Sequence, residues 1–313
     1  MKDNEQAELD QTSGKVKVWI SAMRLRTLPL AFSCVFTGSA INWQYNAHSW
    51  IIFTLSLLTT LFLQILSNLA NDYGDHIKGT DNKERVGPTR AMQTGVLSAF
   101  SMQKALIVFS ALALISGLSL LYVAFQDSNQ MSFALLFLLV GLSAIAAAIK
   151  YTIGKNPYGY RGLGDLFVFL FFGLVGVCGT AYLHSTTFDL MWLLPAATIG
   201  LLSSAVLNLN NLRDHINDAA SSKITVVVKI GFDKGKSYQY LLMFFAFVTL
   251  LISLTLTTSE YLEYLALLPF ILLLGVANTV RKNKEPAKLD PLLKKVALST
   301  FLISCILFIT TFI

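Results

Sequence analysis

The stretch Asn68-Leu69-Ala70-Asn71-Asp72-Tyr73-Gly74-Asp75, continuing through His76-Ile77-Lys78-Gly79-Thr80-Asp81, closes an apolar run that begins at Trp50. From Trp50 to Ala70 the chain is long enough to cross a bilayer as a helix at ~1.5 Å per residue. Asn68, Asn71, Asp72 and Asp75 stand at i, i+3, i+4 and i+7, so one helical face carries two amides and two carboxylates. Ionisable groups at membrane depth are costly and point to function. A polar helix end wetted at the interface is the plainer alternative, and a second copy weighs against it. Asn210-Asn211-Leu212-Arg213-Asp214-His215-Ile216-Asn217-Asp218 ends another apolar segment. Asn71-Asp72-x-x-Asp75 aligns with Asn210-Asn211-x-x-Asp214, and Asn211, Asp214 and Asp218 again share a face. Two acidic clusters at equivalent helix ends, each followed by basic residues, have the pattern of a metal–diphosphate site.

The surrounding composition is that of a membrane protein. Of 313 residues, 54% are hydrophobic and 13% charged, against roughly 25% charged in soluble chains. Apolar runs predict nine spans, at about 27–43, 50–71, 105–125, 131–150, 164–184, 190–209, 238–257, 261–280 and 296–313. The expected fold is an all-α bundle of nine transmembrane helices. Residues 1–15 read as a disordered polar tail, and 16–313 as a single transmembrane domain.

Charge orients the bundle. With the N-terminus in the cytoplasm, the tail and the loops after spans two, four, six and eight hold all 24 Lys and Arg. The opposite loops hold only acids such as Asp127, Asp189, Glu260 and Glu263, a positive-inside pattern. This predicts a multi-pass protein of the cell's inner membrane with its C-terminus on the far side and both acidic motifs at the cytoplasmic face. The net charge of +6 then reflects topology and contact with the lipid bilayer, and nucleic acid is not an expected partner. Cys34, Cys178 and Cys305 all fall within spans and read as small buried hydrophobes. There is no Walker sequence, dinucleotide fingerprint, nucleophile elbow or zinc-type His pair. His76 and His215 read as neighbours of the acids rather than ligands.

Other segments cluster near that face. Val16, Trp19, Ile20 and Met23 recur at helical spacing among basic residues, as in an interfacial anchor helix. Arg24 and Arg26 beside it are candidates to reach a diphosphate. The long loop from Asp75 to about Lys104 carries Lys78, Lys83, Arg85 and Arg90, whose side chains suit phosphate oxygens. The segment 150–165 holds Tyr151, Tyr158 and Tyr160, either an interfacial aromatic belt or the wall of an aromatic-substrate pocket. Behind it Gly164, Gly173, Gly176 and Gly179 read as points of close helix packing. Val226 to Val228 read as part of a loop, and the turn from Lys282 to Pro291 offers no chemistry that the sequence assigns.

Magnesium takes oxygen ligands and is usually held by one or two carboxylates plus substrate phosphates. A diphosphate matched by metal, Arg and Lys is a better leaving group, and nine spans imply that the rest of the substrate is hydrocarbon. The chain resembles the UbiA superfamily of intramembrane prenyltransferases from about Val18 onward. The residues that carry the resemblance are Arg26-Thr-Leu-Pro29, Asn68 to Asp75, Glu84-Arg-Val-Gly-Pro88, Pro157-Tyr-Gly-Tyr160 with Gly162-Leu-Gly164, and Asn210 to Asp214. The superfamily places a third acid four residues after the second; here that position is Gly79 and the acid is Asp81, as in the branch that acts on 1,4-dihydroxy-2-naphthoate.

The resemblance implies Mg2+-dependent transfer of a prenyl group from a polyprenyl diphosphate to an aromatic acid acceptor, with loss of the ring carboxylate. It implies that Asp72, Asp75, Asp214 and Asp218 hold magnesium with Asp81 assisting, and that Asn68, Asn71, Asn210 and Asn211 orient them or bind water. Arg85, Arg90, Arg213 and Lys223 would contact diphosphate, and Tyr151, Tyr158, Tyr160 and Asp165 would face the acceptor or the allylic cation. Two other readings stay open: an acceptor such as 4-hydroxybenzoate, and an ion-coupled secondary transporter, although transporter sites tend to lie near the midplane.

Overall fold

The computed structural model describes residues 14–43, 49–82, 85–126, 130–257 and 261–313. Most of the expected tail lies outside these, as do Lys83, Glu84, Asp127 and Glu260. Helix α1 (14–23) includes Gly14 and Lys15 at the boundary of the expected tail. It is followed by α2 (Leu28–Trp43), α3 (Trp50–Ile77), α4 (Ala99–Phe125), α5 (Met131–Lys150), α6 (Gly164–Ser185), α7 (Leu190–Ala220), α8 (Phe232–Thr257), α9 (Tyr261–Lys282) and α10 (Pro286–Thr310). Among the described residues there is no strand. Val226–Ile230, expected in a loop, forms a helical turn capped by Thr225.

Eight of these helices, α3 to α10, are long and apolar enough to cross a membrane. The first expected span, α2, has 16 residues, about 24 Å of helix against a hydrocarbon core of about 30 Å. It sits inside the bundle between α10, α3 and α6. By contrast α3 has 28 residues and α7 has 31, or roughly 42 and 46 Å. Both therefore continue past the hydrocarbon by two or more turns, and the two acidic motifs occupy those extra turns. Helical geometry is satisfied there while the carboxylates are spared the membrane interior.

α7 is the most buried span and packs on α6, α8, α10 and α2. Its meeting with α6 is close: a Cβ on Gly173 would lie 2.7 Å from the Ala196 carbonyl and 2.9 Å from the Gly200 Cα. Phe169–Cys178 within α6 is π-helical, a widened coil often associated with functional sites. α5 lies at the periphery with no buried side chain. Its inner face, with α2, α3, α4 and α6, encloses a cavity of about 370 Å³. α1 sets Ala22 into a core with Leu66, Leu69 and Tyr73 of α3, while Val16 and Ile20 stay exposed. It thus packs through a face that includes Ala22 and leaves half of the predicted stripe uncovered.

Candidate active site

Cations bridge the C-terminal turns of α3 and α7, and the acids predicted from the sequence are gathered around them. Asp72, Asp75, Asp81, Asp214 and Asp218 are each at most 9% exposed. Each is faced by a cation. Asp72 is bonded by Arg24 and lies 3.2 Å from Arg90 Nη1. Asp75 takes Lys223 Nζ at 3.2 Å, with Asp218 4.0 Å from the same ammonium. Asp81 lies 3.2 Å from Arg85 Nε, and Asp214 3.5 Å from Arg85 Nη2.

Lys223 sits in the segment after α7. Burial alone would depress its ammonium, but the carboxylates of Asp75 and Asp218 outweigh that and hold it above the ordinary lysine range. Asp81, on the loop after α3, is pushed the other way. Burial first, and the neighbouring Asp75 second, raise it to about 7 despite Arg85.

Among the described residues no three acids converge as a ready-made cation cage; guanidinium and ammonium groups stand between them. The donors nonetheless fit a hard divalent cation. Both carboxylate oxygens of Asp81, and the amide oxygens of Asn71 and Asn217, are buried without a hydrogen-bond partner, and an all-oxygen set of this kind suits magnesium.

Several side chains have geometries that differ from the expected roles. Arg213, expected on diphosphate, is spent inside the protein. It forks onto Asp214 through Nε and Nη2 at 2.9 and 2.6 Å, gives Nη2 to Asn210 Oδ1 at 2.7 Å and bonds Asp290 through Nη1. Asn68, expected to orient the acids, instead donates to the Met23 carbonyl at 2.9 Å and Thr27 Oγ1 at 3.2 Å, tying the α1–α2 joint to α3. That joint turns at Arg24, whose φ of 48° is left-handed, and the turn brings its guanidinium onto Asp72. Arg26 is exposed. His76 is exposed, and His215 bonds the Leu212 carbonyl and stacks on Phe232. Asn211 is buried within the α7 motif.

The three tyrosines divide. Tyr160 Oη donates to Asp75 Oδ1 at 2.7 Å, and its ring centre is 5.3 Å from both Lys78 Nζ and Lys223 Nζ. Tyr151 and Tyr158 instead line the head of the cavity. They meet edge to face at 5.2 Å, and Tyr158 stacks on Phe167 at 4.0 Å. Burial raises both phenols, so they are neutral ring faces. Asp165 is buried at the start of α6, with one carboxylate oxygen unpartnered. The cavity runs from Asn71, Asn68 and Gln64 down to Ser56, Leu120, Phe137 and Leu183. Ser56 to Asn71 spans about 22 Å of helix, so an apolar channel hangs directly beneath the acids.

Residues 31–305 match the UbiA prenyltransferase family. The chain belongs to that family. With its eight apolar helices it is a multi-pass membrane protein. It is 43% identical over 292 residues to the 1,4-dihydroxy-2-naphthoate octaprenyltransferase of Haemophilus influenzae, covering 93% of this chain and 94% of that one. Against the protein of the same name from Escherichia coli it is 39% identical over 286 residues, 91% and 92% of the two chains. Among solved structures, a UbiA homologue from Aeropyrum pernix superposes with a TM-score of 0.64 at 15% identity, over 88% of this chain and 98% of that one. A UbiA homologue from Archaeoglobus fulgidus bound to GPP and Mg2+ gives 0.62 at 15% identity, over 93% and 99%. At that identity these two likenesses are of fold.

Sequence reasoning missed Thr80, Asn217 and Asp290. Thr80 lies 2.6 Å from the Tyr160 hydroxyl, Asn217 Nδ2 donates to the Thr80 carbonyl at 2.9 Å, and Asp290 steadies Arg213. Asn217 lay beside Asp218 on the motif face and could have been read from spacing. The other two are joined only by the fold.

Proposed function

We propose that this protein transfers a polyprenyl group from an allylic polyprenyl diphosphate to 1,4-dihydroxy-2-naphthoate, releasing diphosphate and CO2 and giving demethylmenaquinol. The observation that carries the reading is the apolar channel hung beneath paired acid motifs, with neutral aromatic rings at the junction. The names of the relatives that align over nearly their whole length support naphthoate as the acceptor. An end-of-bundle site argues against an ion-coupled transporter.

Asp72, Asp75, Asp81, Asp214 and Asp218 are the residues that would hold magnesium, which when bound would supply positive charge against the leaving diphosphate. Arg24, Arg85, Arg90 and Lys223 now neutralise those acids. With the acids otherwise engaged, these cations are free to bind phosphate oxygens and match the charge that develops on departure. Arg213 and Asn210 hold Asp214 in place. The hydrocarbon tail lies in the channel between α3, α4, α5 and α6, which places C1 near Asn71, Tyr151 and Tyr158. The ring faces of Tyr151, Tyr158 and Phe167 stabilise the allylic cation and exclude water. The acceptor's electron-rich ring attacks C1 at the carbon that bears the carboxylate; loss of CO2 then returns the electron pair to the ring, so no side chain need take a ring proton. On this reading the motif end of the bundle faces the cytoplasm of a bacterial inner membrane, the side to which the positive-inside pattern of the sequence assigns the Lys and Arg.

The test is a competition between acceptors. With one prenyl diphosphate and excess magnesium, purified protein is expected to prenylate 1,4-dihydroxy-2-naphthoate and leave 4-hydroxybenzoate unchanged. Prenylation of 4-hydroxybenzoate at an equal or greater rate would overturn the acceptor assignment.

A further inference from the structure

The loop after α3, the tyrosine loop after α5 and the last turns of α7 meet at one residue, Thr80, which is 2% exposed. Its backbone nitrogen donates to the Asp75 carbonyl at 3.0 Å, closing α3 directly behind the first acid motif. Its own carbonyl accepts from Asn217 Nδ2 at 2.9 Å, and Asn217 stands between Asp214 and Asp218 of the second motif. The Asn217 Oδ1 atom is buried with no partner among the described residues, so that amide is anchored through Thr80.

The hydroxyl of Thr80 lies 2.6 Å from Tyr160 Oη, which itself lies 2.7 Å from Asp75 Oδ1. A phenol carries one proton. With that proton given to the carboxylate, Thr80 must donate to Tyr160, and the order is Thr80 to Tyr160 to Asp75. Such a chain ending on a charge strengthens each of its bonds. Tyr160 in turn accepts the Ile224 amide at 3.2 Å through its carbonyl, and the Lys223 ammonium stands 5.3 Å from its ring centre. One threonine thus touches both acid motifs and the tyrosine that sits against Lys223.

Resting on the reading of this site as a divalent-cation and diphosphate site, we propose that Thr80 is a positioning residue. Through its hydroxyl and its carbonyl it locks the two acid motifs and the Tyr160 loop into the one arrangement that takes diphosphate. It touches no reacting atom; it acts through Tyr160, Asp75 and Asn217.

The experiment measures binding rather than turnover. Calorimetry on the full-length protein in detergent gives the affinity for inorganic diphosphate with magnesium in excess, for wild type, Thr80→Val, Thr80→Ser, Tyr160→Phe and the Val/Phe double variant. Removing one bond from a charged network is expected to weaken binding about tenfold in either Thr80→Val or Tyr160→Phe. Because both substitutions break one chain, the double variant is also expected to lose only about tenfold, where independent sites would lose about a hundredfold. Thr80→Ser keeps the hydroxyl and is expected to bind as wild type does. Wild-type affinity in Thr80→Val, a loss in Thr80→Ser equal to that in Thr80→Val, or a multiplicative double variant would each overturn the proposal. Wild-type protein that takes no diphosphate with magnesium would overturn the reading beneath it as well, and is distinguished by failing before any variant is compared.

Discussion

Asp81 is the acid that departs from the family's spacing, and its surroundings give it a property that can be measured. It sits on the loop rather than on α3, buried, with its carboxylate oxygens lacking aligned donors. Burial and the nearby Asp75 raise it to about 7. The sign follows: below that value the cation-free carboxyl holds a proton, which a magnesium ion must displace if Asp81 is a ligand. We therefore predict that binding of magnesium with diphosphate releases more protons at about pH 6 than at about pH 8.5, where this group is already ionised. Asp81→Asn is predicted to lower the release at the acid end. Calorimetry in buffers of different ionisation heat reads this directly, and equal release from the variant would remove Asp81 from the ligand set. At this scale much was legible in the chain. The helical spacing of Asp72, Asp75, Asp214 and Asp218 placed all four acids on buried facing turns. Their partners were not legible, since Tyr160 lies 80 residues from Thr80 and Asp290 lies 77 from Arg213. No local pattern encodes such pairs.

The elements were legible where hydrophobicity alone decides them, and less so at their ends. The apolar runs predicted spans closing near 71 and 209, but α3 continues to Ile77 and α7 to Ala220. A polar residue ends an apolar run without ending a helix, and the acid motifs are built on that difference. The predicted span at 261–280 holds Glu263 near its start and Pro269 inside it. The structure accommodates both, because Pro269 opens an α-helical segment after a 3-10 stretch, where its missing N–H costs nothing. One glycine tests how tightly the motif helix is held. Gly74 lies between Asp72 and Asp75, and a Cβ there would come within 2.6 Å of Thr152 Cβ and 2.9 Å of its backbone. Thr152 also bonds the Ala70 carbonyl at 2.8 Å, so it cannot withdraw freely. Gly74→Ala is expected to cost about 1–3 kcal/mol by overpacking. Gly275→Ala on α9, where a Cβ meets nothing within 4 Å, is expected to be neutral or slightly stabilising. Thermal unfolding of both in detergent checks this, and an unchanged midpoint for Gly74→Ala would show that the Thr152 contact yields.

At the scale of the molecule, the described Lys and Arg gather at one end of the bundle, and the other end holds only acids such as Asp189 and Glu263. If that asymmetry orients the protein, an impermeant thiol reagent should reach Lys282→Cys only from the cytoplasmic side and Asp189→Cys only from the opposite side. Both residues are exposed, so labelling of the two from one side would contradict the topology. The same asymmetry explains how a charged headgroup and a long hydrocarbon can share one site. Acids, arginines and lysines stand at the head of the site, and the channel of about 370 Å³ descends from them between the apolar helices. At this junction a prenyl group is expected to pass onto an aromatic ring. The most direct measurement is the mass of the product formed by purified protein from 1,4-dihydroxy-2-naphthoate and a polyprenyl diphosphate, with magnesium and with the metal chelated. The expected product has the mass of the acceptor with its carboxyl group replaced by the prenyl group, is formed only with magnesium, and is lost from Asp72→Asn and Asp214→Asn. A product formed equally well with the metal chelated, or by either variant, would contradict that expectation.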